Sequence, residues 1–168
     1  MHNIQFEIKF LADCQQYISQ LAKMHFDEIS KHWVPDASVE RSRQRFMEHA
    51  SKDKLPLTLV ALRNNNPIGM VSLREKDGIR PDLSPWLASL VVSPKYRKFG
   101  VGKQLINAIK IEAVSKNYKK LYLFAFDRTI PEWYAHLGWK LIGNDQHFNH
   151  PISIMEIDLH ENLHSLYF

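Results

Sequence analysis

The stretch Leu90-Val91-Val92-Ser93-Pro94-Lys95-Tyr96-Arg97-Lys98-Phe99-Gly100-Val101-Gly102-Lys103 decides how this chain is read. An apolar, β-branched run stops at Pro94, a basic turn spaced by glycines follows, and Gln104-Leu105-Ile106-Asn107-Ala108-Ile109-Lys110 opens a helix. A strand, a glycine-containing loop and a helix N-terminus in that order present backbone N–H groups to an anion. The expected ligand is therefore phosphorylated.

Working outward, Trp86 to Val92 is the strand before the loop, and Val101, Leu105, Ile109 and Ala113 share one face of the helix after it, from Gly100 to about Lys116. Upstream, Ile4 to Phe10 alternates apolar and polar as a half-buried strand does. Asp13 is expected to cap a helix in which Tyr17, Leu21, Met24 and Ile29 recur to about His32, and Pro35 ends it. Ser38 opens a more polar helix with Phe46 and Met47 facing inward. Leu57–Leu62 and Ile68–Arg74, joined by Asn64-Asn65-Asn66-Pro67, read as a hairpin. Asp77-Gly78, Pro81 and Pro85 mark a loop. Downstream come a strand from Leu121 to Phe126, a short helix from Pro131 to Leu137 ended by Gly138, and strands at Trp139–Ile142 and Ile152–Leu159. The order β-α-α-β-β-β-α-β-α-β-β is mixed α/β in one layered domain.

Composition narrows the function classes. Of 168 residues, 45% are hydrophobic and 24% charged, which excludes a disordered or fibrous chain. The net charge of +4 suits an anionic ligand, but the basic residues are dispersed, so no nucleic-acid partner is expected. The one cysteine, Cys14, precludes an intramolecular disulfide and fits a small buried residue. With no signal-like segment and no apolar run long enough to span a bilayer, the expected setting is cytoplasmic, with no membrane partner. His147 and His150 lack a further ligand at diagnostic spacing, so no metal is expected. No Gly-x-Ser-x-Gly elbow points to a serine hydrolase.

The loop pattern Arg97-x-x-Gly100-x-Gly102 lacks the Gly-Lys-Ser/Thr ending of a nucleotide loop, since Gln104 follows Lys103, and the third glycine of a dinucleotide fingerprint. Val92, Pro94, Arg97, Gly100, Gly102 and Leu105 match another pattern. The stretch resembles the acetyl-CoA loop of the GCN5-related N-acetyltransferase (GNAT) superfamily. Trp133-Tyr134-Ala135-His136-Leu137-Gly138-Trp139 resembles that family's Tyr-x-x-x-Gly-Phe segment, in the right order downstream. The resemblance is strong from about Trp86 to Trp139.

The resemblance implies a single N-acetyltransferase domain over 1–168. Its fold would be one mixed, mostly antiparallel central sheet flanked by helices, with splayed central strands forming the acetyl-CoA cleft. It implies direct transfer of acetyl from acetyl-CoA, a cosubstrate, to a primary amine of a small molecule or peptide in a ternary complex. A non-catalytic acyl-CoA sensor of the same fold is the alternative, and a homodimer is among the expected states. Leu90, Val91 and Val92 would lie along the pantetheine arm, a backbone N–H near Val92 would polarise the thioester carbonyl, and Arg97, Lys98, Phe99, Gly100, Val101, Gly102 and Lys103 would hold the pyrophosphate.

Tyr134 falls on the family's general-acid position, where a neutral phenol can protonate the departing thiolate. Asp127 stands where the family often has Asn at a coenzyme contact. Glu28, Glu75, Asp77, Asp82 and Asp127 are the candidate bases. Glu28, Trp86 and Phe124 are expected at the acceptor, with Trp33 and Trp133 as further pocket walls. Core packing is the alternative for the four aromatic residues. The acceptor's identity is not written in these residues.

Overall fold

A computed structural model describes residues 4–160. Strand β1 (Glu7–Phe10) leads through two short 3-10 turns into helix α1 (Ile18–His25), which runs through a π-helical turn (Phe26–Ser30) into the single turn α2 (Lys31–Trp33). Helix α3 (Val39–Glu48) precedes the strands β2 (Leu57–Arg63), β3 (Asn66–Arg74) and β4 (Trp86–Val92). Then come α4 (Val101–Ser115), β5 (Lys120–Ala125), α5 (Ile130–His136), β6 (Lys140–His147) and β7 (His150–Asp158). The seven strands form one sheet in the order β1-β2-β3-β4-β5-β7-β6. Every neighbouring pair is antiparallel except β4–β5. This is the mixed, mostly antiparallel sheet that the family resemblance implied.

Both faces of the sheet centre are covered, which explains the continuous apolar run of β2. Leu57, Leu59 and Ala61 face α4, meeting Leu105, Ile106, Ile109 and Ala113. Val60 and Leu62 face the opposite layer, with Leu21, Ala22 and Phe46 from α1 and α3. The asparagine turn closes the β2–β3 hairpin with Asn64 at φ 51° and Asn65 at φ 63°, left-handed values that match the strand twist.

Strands β4 and β5 are paired at one register position, Trp86 with Tyr122, where Tyr122 N donates to Pro85 O at 3.0 Å. Beyond it they separate. The cause lies in β4, whose register against β3 shifts between Met70 and Ser72, with Ser89 in the left-handed region at φ 54°. One extra residue bends and twists the strand away from its parallel neighbour.

Three local expectations are corrected. Asp13 does not cap a helix; its carboxylate pairs with Lys52 at 2.6 Å, and α1 starts without a side-chain cap. The helix expected from Tyr17 to His32 is interrupted by the π turn. Phe46 is buried but Met47 is 48% exposed, because successive helical side chains point about 100° apart and cannot both face the sheet.

Gly69 escaped the sequence reading. A Cβ there would stand 2.9 Å from Val91 O and 3.2 Å from Leu105 Cδ1, in the seam joining β3, β4 and α4. Gly69→Ala is expected to destabilise the fold by about 1–3 kcal/mol. A urea midpoint unchanged from the parent chain would refute that close approach.

Candidate active site

The gap between β4 and β5 opens into a cleft of about 980 Å³. Residues 87–92 line one side and 123–127 the other, and the loop after β4 closes one end. In that loop Pro94 starts a 3-10 turn, Lys98 takes φ 69° and Gly100 φ 82°. Left-handed residues beside the helix start turn successive N–H groups into one concavity. Helix α4 begins at Val101 with no side-chain cap, so its first-turn N–H groups have no intrahelical partner and face this loop.

The two glycines act differently. A Cβ on Gly100 would meet nothing within 4 Å, so its positive φ, not crowding, selects glycine. A Cβ on Gly102 would sit 3.5 Å from Trp133 Cη2 and 3.7 Å from Val92 Cγ2. The Trp133 indole therefore lies against the end of the cleft that the loop after β4 closes.

Of the residues expected at the cofactor, Leu90, Val91, Val92, Arg97, Lys98, Gly100, Val101, Gly102 and Asp127 line the cleft. Phe99 does not: it packs against the main core. Lys103 is exposed and also off the lining. The Arg97 guanidinium is already engaged. Its Nε donates to Val92 O at 3.2 Å and its Nη2 to Glu28 Oε2 at 2.8 Å, joining two expected site residues across the cleft mouth. Half exposed, this pair contributes little to stability but fixes the fork's direction. Asp127 Oδ1 accepts from Thr129 N at 2.8 Å and Thr129 Oγ1 at 2.7 Å, which holds its carboxyl below the usual range and ties down the start of α5.

Tyr134 projects from α5 into the cleft wall with its ring wedged between Trp133 and Trp139, at centroid distances of 5.0 and 5.5 Å. Gly138, at φ 96°, lets the chain reverse so that Trp139 N donates back to Tyr134 O at 3.1 Å. Burial pushes the phenol's pKa up, so it keeps its proton at neutral pH. No described residue hydrogen-bonds its hydroxyl.

The opposite end is aromatic. Trp33 and Phe126 stack at 5.2 Å, Phe126 stacks on His147 at 6.0 Å, and Phe124 meets Phe126 edge-on at 5.3 Å. Phe124 thus lines the cleft. Trp86 does not. It is fully buried behind that wall with Tyr122, Ile152 and Ile154, and its Nε1 donates to Leu83 O at 2.8 Å. It occupies the one position where β4 and β5 still pair, so the cleft has not yet opened there.

The candidate bases disperse. Asp82 accepts from Arg80 Nε and Nη2 in an exposed loop, and neither it nor Glu75 lines the cleft. Asp77 lies between Arg74 and Arg45; burial pushes its carboxyl up while both guanidiniums favour the charged form. Lining residues that the sequence reading did not assign to the site include His25, Arg45, Arg74 and His147. Burial lowers the His147 pKa, leaving a neutral imidazole that can accept a proton at pH 7. Among the described residues no group of three His, Cys, Asp or Glu stands close enough to hold a metal ion. No described helix is long and apolar enough to cross a membrane.

A model of the Acetyltransferase (GNAT) family matches residues 21–139. The fold also matches solved structures. One is an aminoglycoside 6'-N-acetyltransferase complexed with coenzyme A, with TM-score 0.69 and 18% identity over 93% of this chain and 97% of that one. Another is a GNAT acetyltransferase from Staphylococcus aureus Mu50, with TM-score 0.70 and 17% identity over 92% and 99%. A third is N-acetylglutamate synthase from Neisseria gonorrhoeae complexed with coenzyme A and N-acetyl-glutamate, with TM-score 0.69 and 19% identity, where 95% of this chain covers 36% of that protein. At such identities the likeness concerns the fold. No curated protein matches this chain.

Proposed function

The chain belongs to the GNAT family of acetyltransferases, and from that membership we propose that it moves an acetyl group from acetyl-CoA to a primary amine of a small molecule or peptide, by direct attack in a ternary complex. The observation that supports this most is the cleft itself. One continuous opening joins an uncapped helix N-terminus, a bulged strand and a buried phenol. The loop around Gly100 fits a pyrophosphate, because its left-handed residues turn N–H groups inward and open space lies where a Cβ would be.

The bulge at Ser89 frees β4 main-chain groups from β3 and leaves them available to the amides of an extended pantetheine arm. A backbone N–H near Val92 then polarises the thioester carbonyl. The Tyr134 hydroxyl donates its proton toward the leaving sulfur, and the neutral His147 imidazole takes the proton that the attacking ammonium must lose. The reading takes 1–168 as one acetyltransferase domain. It includes a cytoplasmic setting, resting on the single buried Cys14.

Isothermal titration with acetyl-CoA, followed by a coenzyme A release assay over a panel of amines, tests this. Saturable binding and release dependent on an amine are expected. No binding at millimolar acetyl-CoA would overturn the whole reading. Binding without release for every amine would leave the non-catalytic acyl-CoA sensor in its place.

A further inference from the structure

The acceptor end of the cleft holds more positive charge than negative. Arg45 of α3 and Arg74 at the end of β3 converge on one carboxylate. Arg74 Nη1 donates to Asp77 Oδ1 at 2.9 Å, and Arg45 Nη2 stands 3.7 Å from the same oxygen. All three residues line the cleft. Two guanidinium forks offer more donors than one carboxylate can accept. Arg45 Nε is buried with no hydrogen-bond partner among the described residues.

The other carboxylates lining the cleft do not pair with these arginines: Glu28 is paired with Arg97, and Asp127 accepts from Thr129. Glu48 acts on Arg45 from the exposed face of α3. His25, on the same wall, is neutral: burial first and Arg45 second push its pKa down to about 3. Arg45 itself, lowered to about 10 chiefly by burial, stays charged at neutral pH. Like charges held together in a half-buried wall favour the arrival of an anion.

We propose that Arg45 and Arg74 bind a carboxylate of the acceptor, so that the amine acetylated belongs to an amino-acid-like molecule and not to a polycation. The inference deepens the acetyltransferase reading above and rests on it. One excess positive charge matches a monoanion, and the planar forks match a carboxylate. The anchor adjoins the aromatic wall. Gly78 follows Asp77, and a Cβ on Gly78 would lie 3.2 Å from His147 Cε1. An acceptor held by its carboxylate at the arginines therefore has the Phe126 and Trp33 rings beside it for an apolar side group. A polyamine meets uncompensated positive charge instead.

The test compares kcat/KM of the intact enzyme for L-amino acids, for their α-amides and for spermidine, followed by coenzyme A release. The amino acids are expected to exceed their amides by about 10-fold or more. Arg74→Gln is expected to bring that ratio toward one, whereas Arg45→Lys, which keeps the charge, retains part of it. Acetyl-CoA titration of each variant reports whether its fold is intact, and the unmodified enzyme decides the matter should a variant not fold. Amides or spermidine turned over as well as the acids would overturn the inference and leave the acetyltransferase reading standing. No release with any of the three classes, despite acetyl-CoA binding, would overturn the inference, and the wider amine panel would then decide the acetyltransferase reading separately.

Discussion

Tyr134→Phe is expected to lower kcat by about 10²-fold or more while the acetyl-CoA Kd changes by no more than about twofold. The substitution removes one oxygen and leaves the ring in place between Trp133 and Trp139. No described residue hydrogen-bonds that oxygen, so its loss breaks no internal contact, and the variant should unfold near the parent's urea midpoint. What disappears is the proton donor. Burial raises the phenol's pKa, so the parent enzyme holds that proton across the whole neutral range and no alkaline loss from Tyr134 should show in its pH–rate profile. The variant's acid limb, set by groups such as His147 that must be neutral to accept a proton, should persist. Single-turnover kinetics with saturating acetyl-CoA checks this. An unchanged kcat would remove Tyr134 as the acid, and a large rise in Kd would make it a binding residue instead.

The strand, loop and helix at one end of the cleft were legible because their information is local. Val92, Pro94 and the glycines mark where a strand stops and a helix starts, and the structure places β4 at Trp86–Val92 and α4 at Val101–Ser115. The arginine-lined end was not, because its residues meet only through tertiary structure. Arg45 sits in a polar helix between Arg41, Arg43 and Glu48, where no local pattern separates a cleft arginine from a solvated one. Asp77 and Gly78 read as a turn, and so they are; their contacts to Arg45 and His147 depend on how that loop folds back. The bulge that splays the sheet rests on Ser89, a residue without any preference for positive φ that would announce it. Trp86 illustrates the reverse error. It stands at the right end of the right strand, but the sheet is still closed at its position, and a residue two places further along faces another environment.

Lowering the pH from 7.5 to 5 is expected to cost the fold about 4 kcal/mol through two buried histidines, out of a total stability of about 5–15 kcal/mol. His25 Nδ1 bonds Ser42 Oγ at 2.7 Å, and His49 Nδ1 lies 3.0 Å from Thr58 Oγ1 and 3.2 Å from Ser72 Oγ. Phe46 meets both rings edge-on, at 5.2 and 5.7 Å. Among the described residues, no carboxylate hydrogen-bonds either imidazole. Burial, then Arg45, hold His25 down at about 3, and burial followed by Arg45, Arg74 and His25 holds His49 at about 2, against 6.5 for a free imidazole.

Because the folded pKa lies below the unfolded one, the unfolded chain binds more protons between the two values. The stabilisation is therefore complete above about pH 6.5 and is lost as pH falls toward the folded values. At pH 5 each histidine has crossed about 1.5 units of that window, worth about 2 kcal/mol apiece. This figure depends only on the folded pKa lying well below 5, not on its depth. His147, also lowered, adds a contribution of the same sign, while Asp77, raised by burial, opposes it. Urea unfolding of the parent and of His49→Gln at both pH values isolates the effect. The variant starts less stable, having lost a bonded core group, yet should lose only about half as much between the two pH values. Equal losses in the two proteins would show that His49 is protonated in the folded state, and the polar seam it forms with Thr58 and Ser72 would then have to accommodate a charge.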